Sequence, residues 1–191
     1  MDKAFRERSI TDEGFEGLHP NPLLVEIVSG GMAPRGRALN LHCGTDGDSL
    51  YLAQEGYAVV AAGFSPEDIE QVSRMAEEAK AKVITFTVEP AQLPFHEEEF
   101  DFIADTDCIH KMDERERGAM LRELHRTLRR GGRLFTVLPS LKDNPQGATR
   151  SSIEEMFHPP FEIVQVTDAP VMDKSGKREH LYYYSILLEK V

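Results

Sequence analysis

Ala38-Leu39-Asn40-Leu41-His42-Cys43-Gly44-Thr45-Asp46-Gly47-Asp48 reads as a short apolar strand, a glycine-bearing turn, and the start of a helix near Asp48. A strand-to-helix turn of this kind, at the first crossover of an open α/β sheet, turns backbone amides and a helix N-terminus towards bound nucleotides. Glycine suits such a turn because it tolerates positive φ and lets the backbone approach a ligand closely. Here His42 and Asp46 stand at two positions where glycine is preferred.

The rest of the chain alternates outward from this turn. His19-Pro20-Asn21-Pro22 is a turn by its prolines, and Pro22 opens a helix with Leu23, Leu24, Ile27 and Val28 at helical spacing, ended by Ser29-Gly30-Gly31. The helix after Asp48 stops at Gly56, and Tyr57 to Ala62 is a near-continuous apolar run, as a doubly covered parallel strand requires. Ser65-Pro66-Glu67-Asp68 is an N-cap, a proline at the first helical position and acids in the first turn; the helix it starts is followed by a third strand, Lys82 to Val88.

Phe100 to Asp105 is the fourth strand, and Asp113 caps a long helix that the glycine pair Gly131-Gly132 is expected to terminate. Arg133 to Leu138 is the fifth strand, and Pro139 to Thr149 is a stretch rich in turn formers. After a short helix, Ser151 to Phe157, the strands Phe161 to Val166 and His180 to Leu188 have no helix between them and are expected to pair antiparallel as an edge hairpin. The aromatic run Tyr182-Tyr183-Tyr184 alternates faces and reads as packing. The expectation is a doubly wound, mostly parallel α/β sheet in one domain, 21–191, after a lead-in or lid at 1–20.

Composition narrows the partners. At 191 residues and 29% charged, with a net charge of −11, the chain is too acidic to favour nucleic acid or anionic membrane surfaces. No apolar run approaches the roughly 18 residues of a membrane helix, and Met1 to Arg8 lacks the apolar core of a signal peptide, so a cytoplasmic setting is expected. A small molecule or a protein partner is the better expectation. Two cysteines, Cys43 and Cys108, are too few for a disulfide framework and read as reduced thiols.

In order and spacing, Pro20-Asn21-Pro22, Arg37 to Thr45, Asp48 to Ala53, Ser65-Pro66, Leu93-Pro94-Phe95, Phe100-Asp101, Ile109-His110 and Leu128 to Leu134 resemble class I S-adenosylmethionine-dependent methyltransferases. Within that class the sequence is similar to the small tellurite-resistance and thiopurine methyltransferase-like group. The resemblance implies a seven-stranded sheet with the final strand inserted antiparallel. It also implies an S-adenosylmethionine site formed by Asn40, His42, Cys43, Gly44, Asp46, Gly63, Phe64, Glu89, Pro90 and Asp105.

Several of these positions depart from the family pattern. Asn40 replaces an acid on the first strand, and of the three glycines only the middle one, Gly44, is kept. Gly63 stands where an acid about 20 residues on would accept from the ribose hydroxyls. Losing such charged bonds costs on the order of 1.5 to 3 kcal/mol each, which counts against ordinary cofactor affinity. Glu89 falls where an aspartate commonly meets the adenine amino group, and Asp105 where the group lines the floor of its active site.

Asp107 and His110, on the loop after the fourth strand, are the candidate acid/base residues. His42, Cys43, Cys108 and His110 stand at neighbouring strand tips, but without local chelate spacing no metal site is assigned to them. Three readings follow: a pseudo-methyltransferase whose altered cleft holds a protein or another small ligand, an active methyltransferase for a small nucleophile, and a metal- or redox-linked role for the Cys/His residues.

Overall fold

A computed structural model describes residues 19–41, 47–90, 92–106, 108–142, 144–172 and 178–191. Among these described residues five α-helices, α1 (Pro22–Ser29), α2 (Asp48–Gln54), α3 (Pro66–Glu78), α4 (Glu114–Thr127) and α5 (Arg150–Phe157), accompany seven strands. These are β1 (Arg37–Leu41), β2 (Ala58–Gly63), β3 (Val83–Thr87), β4 (Phe100–Asp105), β5 (Leu128–Pro139), β6 (Phe161–Met172) and β7 (Arg178–Lys190).

Local signals start the helices where they stand. The Asn21 side chain accepts from Leu23 N, Ser65 from Asp68 N and Asp113 from Glu116 N, each satisfying an amide that has no intrahelical partner. The chain leaves α2 through Gly56 at φ +89°, a conformation glycine adopts without a Cβ penalty.

The strands form one sheet in the order β3-β2-β1-β4-β5-β7-β6. β1 to β5 run parallel, and β7 lies antiparallel between β5 and β6. The seven strands and the inserted final strand are as the resemblance implied. One face packs Leu39, Leu41 and Ile103 against Leu121 and Leu124 of α4 and Phe157 of α5. The other packs Ala38, Phe102 and Phe135 against Leu24 and Ile27 of α1 and Tyr51 and Leu52 of α2. Register brings the tips of the parallel strands level: Leu41 pairs with both Ala62 and Asp105, and Asp105 with Thr136.

One boundary differs from expectation. The glycine pair Gly131-Gly132 does not end α4; the helix stops at Thr127, and Leu128 already pairs with Phe100. Gly131, at φ +71°, instead lets β5 bulge before it re-registers at Phe102↔Arg133. The last two strands are also longer than their apolar runs suggested, because hairpin pairing carries them on through polar residues. No helix among the described residues is long and apolar enough to cross a membrane.

Candidate functional site at the strand tips

The base of the site is set by Asn40, on β1 between Ala61 and Ala104 of the neighbouring strands and fully buried. Its Nδ2 donates to Ser49 Oγ of α2 at 2.8 Å. Its Oδ1, equally buried, meets no hydrogen-bond donor among the described residues. Buried acceptors are nearly always paired, so this oxygen is an unmet demand at the foot of the first turn.

Asp48, the first residue of α2, is also fully buried. Its carboxylate accepts from Asn21 N at 2.6 Å and from Thr106 Oγ1 at 2.8 Å. One side chain thereby ties the N-cap of α1, the start of α2 and the exit of β4 together. In the sequence Asp48 is legible only as a helix start, because both described partners are distant along the chain.

At the tip of β4, the buried carboxylate of Asp105 is committed to its own loop. Oδ1 accepts from Cys108 N at 2.8 Å and Ile109 N at 3.2 Å, and Oδ2 accepts from Thr136 Oγ1 of β5 at 2.6 Å. These contacts make Asp105 a cap on the loop and a clasp between β4 and β5.

At the tip of β2, Gly63 is buried, and its carbonyl accepts from Val88 N at 2.8 Å. Phe64 is half-buried against the α4-side core, and Glu89 and Pro90 are exposed at the end of β3. Ser65 caps α3 and donates to Glu67 Oε2 at 2.8 Å. The Glu67 backbone N–H and the Ser65 hydroxyl hold the Glu67 carboxyl below its ordinary range.

His110 lies on a short 3-10 turn, Ile109–Lys111, and is half-buried. Cys108 is buried, with Sγ 3.4 Å from the Leu41 carbonyl, and it is disulfide-bonded rather than the reduced thiol expected of it. His42, Cys43, Gly44, Asp46, Asp107 and all of the lead-in but His19 and Pro20 lie outside the described residues. Among the described residues no group of three His, Cys, Asp or Glu side chains converges as a metal site. The structure thus gathers Asn40, Asp105, Gly63 and the loop carrying His110 at one edge of the sheet, with Glu89 at the neighbouring tip of β3.

The same fold recurs in known proteins. A chain from Burkholderia thailandensis, 1,6-didemethyltoxoflavin-N1-methyltransferase solved with S-adenosylhomocysteine, superposes with a TM-score of 0.72 over 90% of this chain and 77% of its own, at 20% identity. Thiocyanate methyltransferase 1 of Brassica oleracea is 26% identical over 166 residues, 83% of this chain and 74% of that protein. An uncharacterized methyltransferase of Synechocystis is 31% identical over 120 residues, 62% of this chain; the match spans only 52% of that relative's length. The profile of the methyltransferase domain matches residues 39–136, from β1 through the greater part of β5 and just over half of the chain. The protein belongs to the methyltransferase-domain family.

Proposed function

We propose that the chain is an S-adenosylmethionine-dependent methyltransferase acting on a small sulfur nucleophile, with a loosened hold on the cofactor's ribose. The observation that carries this reading is the buried, unmatched Oδ1 of Asn40. An unsatisfied buried acceptor costs about 1 to 3 kcal/mol, and a bound amino group removes that cost. Asn40 thus supplies an uncharged acceptor where the family pattern has an acid, and Glu89, exposed at the end of β3, is the candidate partner of the adenine amino group.

When bound, the cofactor supplies an electrophilic methyl carbon, which gains a bond from the acceptor's lone pair as its bond to the sulfonium sulfur breaks. A thiol acceptor must first lose its proton, and His110, on the loop at the tip of β4, is the candidate to take it, whereas a thiocyanate-type anion needs no base. A sulfur acceptor is supported by the likeness to a thiocyanate methyltransferase. The acidic composition fits a small-molecule acceptor rather than a nucleic acid.

A second reading, a pseudo-methyltransferase that holds another small ligand or a protein partner, is favoured by Gly63, which offers no side-chain acceptor, and by an Asp105 carboxylate already committed. Calorimetry with S-adenosylmethionine separates the two. We expect measurable binding to the native chain, and about 10- to 100-fold tighter binding to Gly63→Asp, the return on one charged acceptor. Absence of heat at millimolar ligand in both proteins, with both folded by circular dichroism, refutes the enzyme reading and leaves the non-catalytic one.

A further inference from the structure

Beyond the tip of β5 the structure holds a second cluster of polar side chains. The chain folds back tightly after Pro139: Leu141 N donates to Ala148 O at 2.9 Å and Ala148 N to Pro139 O at 2.7 Å. The turn is so close that a Cβ on Gly147 would stand 2.3 Å from the Ser140 carbonyl carbon. This fold-back fixes Lys142 on one side and leads into α5, whose first residue is Arg150.

Both cations converge on one carboxylate. Lys142 Nζ lies 3.3 Å from Asp168 Oδ1 and Arg150 NH2 3.3 Å from Asp168 Oδ2. Each also stands against a ring of β7, Lys142 at 5.1 Å from the Tyr182 centroid and Arg150 at 5.9 Å from that of Tyr184, within the range of cation–π attraction. Slight burial acts upward on Asp168, but hydrogen bonds and charges from Arg150 and Lys142 outweigh it and hold the carboxyl below its ordinary range. Among the described residues of the cluster, two cations thus face one anion.

The position matters as much as the charge. Tyr183 pairs with Pro139, three residues beyond Thr136, whose partner across β4 is Asp105. At a rise of ~3.3 Å per residue and ~4.8 Å between strands, Tyr184 and Tyr182 lie about 7 to 13 Å beyond and about 10 Å to the side of the Asp105 level, and Asp168, one strand further on β6, about 14 Å to the side. The cluster is therefore on the ligand-binding edge of the sheet, within reach of a small acceptor and clear of Asn40 and Gly63.

We propose that Lys142 and Arg150, over Tyr182 and Tyr184, bind an anionic group carried by the methyl acceptor, with Asp168 as the internal anion that the acceptor displaces. That the ligand is a methyl acceptor rests on the methyltransferase reading; that the cluster binds an anion does not. Lys142 and Arg150 are more than half exposed, so each contributes modestly and the pair sets preference among acceptors.

The test uses 4-(methylthio)benzoate, a stable aryl thioether with one carboxylate, in a calorimetric titration without cofactor. Lys142→Gln with Arg150→Gln is expected to weaken binding about tenfold, whereas Asp168→Asn, which releases both cations, is expected to tighten it several-fold. Opposite signs distinguish an anion site from a surface ion-pair network, in which both changes act alike. The proposal is overturned if the native chain does not bind the probe at millimolar concentration, if binding is equal in all three proteins, or if both changes move it the same way. Thermal melts of the variants check that each is folded. Methyl transfer to 4-mercaptobenzoate is followed in parallel. Probe binding with the expected signs but no cofactor binding refutes the methyltransferase reading and leaves the anion site standing.

Discussion

Replacing Asp105 separates a carboxylate that serves its own loop from one that serves a ligand. Asp105→Ala leaves the amides of Cys108 and Ile109 without their acceptor in a buried setting and removes the partner of Thr136 Oγ1. Each orphaned buried donor costs about 1 to 3 kcal/mol, so the sum is about 3 to 5 kcal/mol once the Thr136 hydroxyl turns elsewhere. For a chain of this length about 2 to 4 °C of melting temperature is lost per kcal/mol, so Asp105→Ala should melt about 6 to 20 °C lower.

Asp105→Asn tests the same bonds more finely. Both amides donate to the same oxygen, Oδ1, which asparagine keeps, while its Nδ2 can donate to Thr136 Oγ1 if that hydroxyl turns. The expected loss is about 1 kcal/mol, or about 2 to 4 °C. Differential scanning calorimetry of the three proteins reads the shifts, and titration with S-adenosylmethionine reads the site. An unchanged melt in Asp105→Ala together with abolished cofactor binding refutes the structural assignment, as does an equal loss in the two variants.

Other consequences follow from the same geometry. Asp48→Ala should cost about 2 to 4 kcal/mol by urea unfolding, and a double-mutant cycle with Thr106→Val should show coupling of about 1 kcal/mol or more, since the two side chains share a buried bond. Gly36→Ala should destabilise by about 2 to 4 kcal/mol without altering cofactor titration: at φ +138° its Cβ would sit 2.1 Å from Asp101 Oδ2, at the end of the sheet away from the site. Burial, and then the positive charge of Lys190, hold His125 below its ordinary value of 6.5. The fold favours neutral His125, so as pH falls through that value the unfolded chain takes up the proton first. Stability is therefore full above it, declines below it and levels off beneath the folded-state value. His125→Phe, which keeps a ring against Phe161, should flatten that part of the profile in melts at pH 7 to 5.

Much of the fold was legible in the sequence because its signals are local. Ser65-Pro66 starts α3 through contacts spanning three residues, and Gly56 follows α2 by its backbone freedom alone. The alternation of apolar runs with amphipathic helices implied parallel crossovers, and the absence of a helix before the last strand implied an antiparallel return. Where Gly131-Gly132 misled, tertiary pairing of Leu128 with Phe100 outweighed the local preference for a helix stop.

The candidate site divides along the same line. The sequence by itself determined which residue types stand at the strand tips: an amide at Asn40, no side-chain acceptor at Gly63, acids at Glu89 and Asp105. Tertiary structure decided their state. Asp105 is fully engaged because Thr136 arrives from another strand, 31 residues along the chain. Asn40 Oδ1 is left without a described donor because Ser49 meets only its Nδ2. Lys142, Arg150 and Asp168 became a cluster only when the hairpin of β6 and β7 brought position 168 beside the fold-back after β5. Hydrogen-bond satisfaction and charge pairing depend on distances across the sheet, and one-dimensional spacing carries no record of them.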